Sequence, residues 1–201
     1  MKSLKQFIAE SSLSRVYRQT LKHDSGTISA FRSARDCNTG AKFSKSENKK
    51  NSSILKSKLL SIGYGVTKID GTYIENYKTS NPIEVKEDSY LVVDLKDTGK
   101  LKQDLIKLGT MFEQDSITYQ NKETGIYYLI SSNTCKDGYP GFGTIGKEVK
   151  LGKPLFGKSG EFHSKVAGRP FVFVEELKTL LDFFPTEIRS IKALAESEIY
   201  K

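Results

Sequence analysis

The sequence predicts an α+β protein built on a ferredoxin-like sheet, the split βαβ plan, with its helices on one face. Three observations predict it. Short β-branched and aromatic runs alternate with two stretches of helical periodicity in the order strand, helix, strand, strand, helix, strand. Glycines at 40, 63 and 71 punctuate those runs. The 201 residues are 37% hydrophobic and 10% aromatic, enough apolar surface for one core without staples.

The first strand is Thr27-Ile28-Ser29-Ala30-Phe31, followed by a polar loop through Cys37 and Gly40. Ser44 and Glu47 then form a capping box, each side chain satisfying a backbone N–H at the start of a helix. Ile54, Leu55, Leu59 and Ile62 give that helix an apolar face, and Gly63 stops it. Val66 to Ile74, interrupted by Gly71, reads as a second strand or hairpin. Tyr90-Leu91-Val92-Val93-Asp94 is apolar almost throughout and reads as a buried central strand. Thr98 can cap a second helix in which Leu101, Leu105, Leu108 and Phe112 recur at helical spacing, with Gly109 its weakest position. Ser116 to Tyr119 and Ile126 to Ile130 close the sheet. Beyond Cys135 the chain is a Gly- and Lys-rich loop region as far as Gly168. Phe171 to Val174 then adds a strand, and a C-terminal helix entered at Pro185 presents Ile188, Ile191 and Leu194 on one face. The organisation is a detachable segment at 1–10, a linker at 11–25, an α/β core at 26–135, and an extension at 136–201 packed on the same core.

Lys and Arg outnumber Asp and Glu by 32 to 24, a net charge of +8 that attracts polyanions such as DNA non-specifically. The basic feature with definite geometry is the first helix, where Lys45, Lys49 and Lys56 recur about one and two turns apart, flanked by Lys42 and Lys50 and broadly opposite the apolar face. Cys37 and Cys135 follow no secretory segment and read as reduced thiols. No apolar run approaches the roughly 18 residues a membrane span needs, so no membrane role is expected.

Several motifs fail on context. Gly152-Lys153-Pro154-Leu155-Phe156-Gly157-Lys158-Ser159 has the spacing of a phosphate-binding loop, with Lys158 for phosphates and Ser159 for magnesium. The residues before it are short and polar where a buried strand belongs, and no helix follows. Gly141 to Gly146 matches a dinucleotide fingerprint with the same faults. His23, His163, Cys37 and Cys135 lack short metal-ligand spacing, so no metal or other cofactor is expected. Arg32, Asn48, Glu87 and Gln114 each border a strand or helix terminus, and are the residues whose convergence would build a polar network or site. No residue is assigned a catalytic role, and the reading leans away from an enzyme.

Leu4, Phe7 and Ile8 make Met1 to Glu10, MKSLKQFIAE, a short amphipathic segment too brief to hold a helix alone. It resembles the capsid-targeting peptides of internal head proteins in T-even-like phages, which begin Met-Lys and end Phe-Ile-Ala-Glu. That resemblance implies cleavage between Glu10 and Ser11 by a prohead protease reading Ile8-Ala9-Glu10. Leu194-Ala195-Glu196 repeats the pattern near the other end. Asn48 and Asn51, Glu87-Asp88-Ser89 and Phe112-Glu113-Gln114-Asp115-Ser116 are similar to an uncharacterised bacterial domain family, also seen in phages, over residues 27–130. It implies no activity.

Together these imply a virion protein packaged with DNA through capsid or scaffold contacts of residues 1–10, trimmed after Glu10, and delivered from the virion interior to the host cytoplasm. There it would bind a host protein or nucleic acid. The alternatives are a phosphate- or nucleotide-binding enzyme using Gly152, Gly157, Lys158 and Ser159, and a cytoplasmic nucleic-acid-binding module.

Overall fold

A computed structural model describes residues 16–32, 40, 42–75, 83–136, 142–156, 162–166 and 169–174. The segment 1–10, the Glu10/Ser11 cleavage site, Gly157, Lys158, Ser159 and the C-terminal helix with its Leu194-Ala195-Glu196 lie outside the described residues.

The fold is α+β. Eight strands, β1 (Ser25–Ser29), β2 (Gly65–Glu75), β3 (Ile83–Val93), β4 (Ser116–Gln120), β5 (Tyr127–Ser131), β6 (Glu148–Phe156), β7 (Phe162–Val166) and β8 (Arg169–Val174), form one antiparallel sheet. Their order is β1-β3-β2-β7-β8-β6-β5-β4, and β4 pairs back onto β1 to close a barrel. The expected sheet stops at the strands before Cys135. Here β6 and β7, within the stretch expected to be a Gly- and Lys-rich loop region, carry the sheet round until no edge is left unpaired. Of the expected linker, residues 16–20 are helical and Ser25 opens β1.

Helix α1 (Lys45–Ile62) links β1 to β2, and α2 (Leu101–Met111) links β3 to β4. The capping box forms: Ser44 N–H donates to Glu47 Oε2 at 2.7 Å and Glu47 N–H to Ser44 Oγ at 3.2 Å. Gly63 ends α1 at φ 103°, a left-handed cap that a Cβ would strain. The buried face differs from the expected one. Asn48, Ser52, Leu55 and Leu59 point inward, while Ile54 and Ile62 are 38% and 48% exposed. Two polar residues can be buried because each has a partner; Ser52 Oγ lies 2.9 Å from Tyr90 Oη. Lys49 and Lys56 each follow a buried residue, so the lysine row flanks the buried face and is not opposite it.

In α2, Leu101, Leu105, Leu108 and Gly109 are buried. Thr98 does not cap this helix: Lys100 holds that position with no side-chain bond, and Thr98 Oγ1 instead donates to Asp94 Oδ2 at 2.8 Å. Both helices pack on the face of the sheet carrying Ile28, Ala30, Tyr90, Val92 and Ile117, which makes one core. Gly26 permits this closeness, because a Cβ there would stand 2.3 Å from Thr118 O and 2.6 Å from Leu105 Cδ1.

Candidate functional site

Successive residues of a strand point to opposite faces, so if Tyr90 and Val92 meet the helices, Glu87, Ser89, Leu91 and Val93 face into the barrel. The registers Ser29↔Ser89, Thr27↔Leu91 and Ser25↔Val93, with Ser25↔Gln120 and Thr27↔Thr118, give that inner face an unusual number of small polar residues. At one end a buried network closes it: Ser25 Oγ donates to Gln120 Oε1 at 2.6 Å and sits 2.8 Å from Tyr127 Oη. Burial pushes the Tyr127 hydroxyl up to about 12, so it stays protonated and acts structurally. Toward the other end β1 stops at Ser29, opposite Ser89, and the chain leaves the sheet beside Glu87.

Ser29 Oγ makes that exit, donating to Asp88 O at 2.9 Å while accepting Phe31 N–H at 2.9 Å. Arg32 follows, 5% exposed. The Asn48 amide of α1 clamps its backbone, accepting Arg32 N–H at Oδ1 (2.8 Å) and donating from Nδ2 to Arg32 O (3.1 Å). The guanidinium then reaches the turn after α2. Its Nε donates to Glu113 O at 2.6 Å and its Nη2 to Asp115 Oδ1 at 2.7 Å. That turn holds Glu113 at φ 55°, an uncommon conformation for a side-chain-bearing residue, and the arginine braces it. Asp115 Oδ1 also accepts Asn133 Nδ2 at 2.6 Å, and Asn133 Oδ1 accepts Cys135 N–H at 3.1 Å.

Glu87 stands apart from this network. It makes no hydrogen bond or ion pair among the described residues, whereas its neighbour Asp88 pairs with Lys68 at 2.9 Å. Its carboxyl is raised to about 7, first by burial, then by the negative field of Asp115, against an opposing pull from Arg32. Gln114 is buried in the same turn: Nε2 donates to Phe112 O at 2.9 Å and its carbonyl accepts Ser132 Oγ at 2.6 Å. Its side-chain Oε1 accepts nothing among the described residues. The site therefore has two uncommitted acceptors, a carboxyl titrating near neutrality and an amide oxygen, beside an arginine already engaged.

The four polar residues singled out from sequence fall into one neighbourhood: Arg32 bonds Asn48 directly, braces the turn that carries Gln114, and acts electrostatically on Glu87. Sequence reasoning missed Asp115 and Asn133. Asp115 stood inside a motif already marked; Asn133 had as its only signal a Ser-Ser-Asn run at the end of an apolar strand.

The remaining expectations land elsewhere. Lys42, Lys45, Lys49, Lys50 and Lys56 are exposed and make no ion pair among the described residues. A shallow groove of about 690 Å³ follows α1 past Lys50, Ser53, Ile54, Ser57, Lys58 and Ser61, a different set of side chains from Glu87 and its neighbours. Gly152 lies inside β6, at φ 96°, and the next element is β7, where a phosphate loop would open a helix. Asp94 is buried and staples the β3–α2 loop through Thr98 and Gly99. His23 pairs with Asp97 at 3.2 Å. Cys135 is disulfide-bonded, contrary to the expected free thiol. The described residues hold no group of three or more metal-binding side chains, and none of their helices is long and apolar enough to cross a membrane.

The model of the S-adenosylmethionine lyase family matches residues 26–163, more than half of the chain. The chain belongs to this family. Its S-adenosylmethionine lyase span holds Arg32, Asn48, Glu87, Gln114, Asp115 and Asn133, and contains the 27–130 region compared above with a domain family of no assigned activity. No curated protein matches the chain.

Proposed function

We propose that the chain is a lyase acting on S-adenosylmethionine, and that Glu87 and Gln114 receive its cationic portion. The observation that carries this reading is the unpaired Glu87 carboxyl, half ionised near pH 7 inside the family-matched span. S-adenosylmethionine carries a sulfonium and an ammonium charge. A lyase breaks a carbon–sulfur bond without water or a second substrate: the bonding pair goes to sulfur, which leaves as a neutral thioether, and the carbon completes its valence from within the same molecule. The chain's own groups contribute position. Ionised Glu87 pairs with a cationic centre, Gln114 Oε1 accepts an N–H, and the inner face of the barrel carries small hydroxyl residues.

Incubation with S-adenosylmethionine, followed by chromatography, should yield an adenine-containing thioether. Glu87→Gln should reduce its formation by roughly two orders of magnitude. Unchanged substrate after prolonged incubation with folded protein would remove the reading.

A second reading concerns where the protein works, and residues 1–10 favour it. The Met-Lys start and Phe-Ile-Ala-Glu end support packaging in a virion, cleavage between Glu10 and Ser11, and delivery to the host with the genome. A delivered lyase would destroy the methyl donor that host methyltransferases require, so the two readings are compatible. Peptide mass spectrometry of virions should find a chain beginning at Ser11; absence of the protein from virions would count against packaging without touching the lyase assignment.

A further inference from the structure

Glu87 has a cation nearby in Arg32: β1 ends with Ser29 opposite Ser89, two residues from Glu87, and Arg32 follows three residues on, yet the two make no ion pair among the described residues. Left to itself, a guanidinium beside a part-buried carboxylate would close on it, because a charge-assisted pair is the strongest bond either can make. Arg32 is occupied elsewhere. Asp115 Oδ1 takes its Nη2 at 2.7 Å and Glu113 O its Nε at 2.6 Å. Asp115 is in turn fixed from the far side by Asn133 Nδ2, at 2.6 Å on the same oxygen. We propose that Asp115 is a positioning residue that holds the Arg32 guanidinium away from Glu87, so that a cationic substrate and not the protein's own arginine pairs with that carboxylate.

Among the described residues, the other surroundings of Glu87 offer no competing cation. Opposite it on β2 is Gly71, flanked by Asp70; Lys68 is committed to Asp88; β1 contributes no charged residue. Lys86 is exposed on the opposite side of the strand. Beyond β2, β7 brings Ser164 into register with Gly71, with His163 and Lys165 beside it in sequence. Among the described residues, Arg32 is thus the cation whose position decides whether Glu87 is available.

The inference rests on the lyase reading for its substrate, and the experiment separates the two. Asp115→Asn in the full chain releases Arg32 toward Glu87. KM for S-adenosylmethionine should rise about tenfold or more with a much smaller change in kcat, and the Glu87 carboxyl, followed by carbon NMR, should titrate at lower pH than in wild type. Asn133→Ala, which keeps the Asp115 charge but loosens it, should move both in the same direction by less. Asp115→Glu should restore them in part. Removing the Asp115 charge lowers the Glu87 midpoint by itself, so Asn133→Ala, which keeps that charge, is the deciding variant: a merely structural role would lower its stability without moving the midpoint. An unmoved Glu87 midpoint in Asn133→Ala would overturn the proposal, even if activity fell. A midpoint lowered in Asn133→Ala, in protein that cleaves no S-adenosylmethionine, would uphold the positioning and sink the lyase reading.

Discussion

Glu87→Gln separates what this carboxyl does for folding from what it does for chemistry. In the folded protein the group titrates near 7, against an ordinary value of 4.5. Below pH 4.5 it is protonated in folded and unfolded chains alike and costs nothing. Between 4.5 and 7 the unfolded chain gives up its proton while the folded chain keeps it, so stability falls as pH rises. Above 7 the full displacement of the carboxyl from 4.5 to about 7, at 1.36 kcal/mol for each tenfold change in proton affinity, opposes folding by about 3 kcal/mol. Partial solvent access makes that an upper figure. Glutamine has the shape of the protonated acid and never ionises. The variant should match wild type near pH 4.5 and exceed it at pH 8 by up to about 3 kcal/mol, or roughly 6–12 °C in Tm. It should also have lost turnover. Urea and thermal melts of both proteins at the two pH values provide the test. A variant no more stable than wild type at pH 8, or a gap equal at both pH values, would refute the reasoning, since only a proton bound on folding makes the difference depend on pH.

Asn48→Ala removes the bonds to both Arg32 N–H and Arg32 C=O in a buried setting and should cost about 2–3 kcal/mol in urea melts. Gly109→Ala should destabilise by roughly 1–3 kcal/mol despite alanine's better helix propensity, because its Cβ would sit 2.7 Å from Ser132 Cβ; differential calorimetry reads the sign. Reducing the Cys135 disulfide with a dithiol should lower stability by about 2–5 kcal/mol, and Cys135→Ser should give the same Tm with or without the reductant. Replacing Lys45, Lys49 and Lys56 together by Gln should weaken binding to duplex DNA and flatten its salt dependence by about three counterions' worth, measured by fluorescence anisotropy; unaltered salt dependence would dismiss that face as a phosphate contact.

What was legible in the sequence was what depends on near neighbours. Ser44, Glu47 and Gly63 bound α1 through contacts three or four residues long, and the Leu101, Leu105, Leu108 spacing fixed the inner face of α2. The inner face of α1 was not legible, because Asn48 and Ser52 are buried by partners far away in sequence, Arg32 and Tyr90, while Ile54 looks apolar and is left outside. Strands β6 and β7 hid for a related reason. Lys150, Lys153 and Pro154 form a strand only because β5 and β8 supply its pairing, and no local pattern announces that.

The candidate site divides along the same line. Arg32, Asn48, Glu87 and Gln114 could be picked out because each borders an element where the backbone leaves the regular ladder. Which of them is spent on architecture and which is left free is set by Asp115 and Asn133, arriving from two other strand ends. Arg32 and Asn48 satisfy each other and the turn; Glu87 and Gln114 Oε1 do not have partners among the described residues. Buried groups that could be satisfied and are not raise the energy of the fold. Three hydrogen bonds tie Arg32 and Asp115 into the turn after α2, so the chain spends this arginine on architecture and leaves the Glu87 carboxyl unmatched among the described residues.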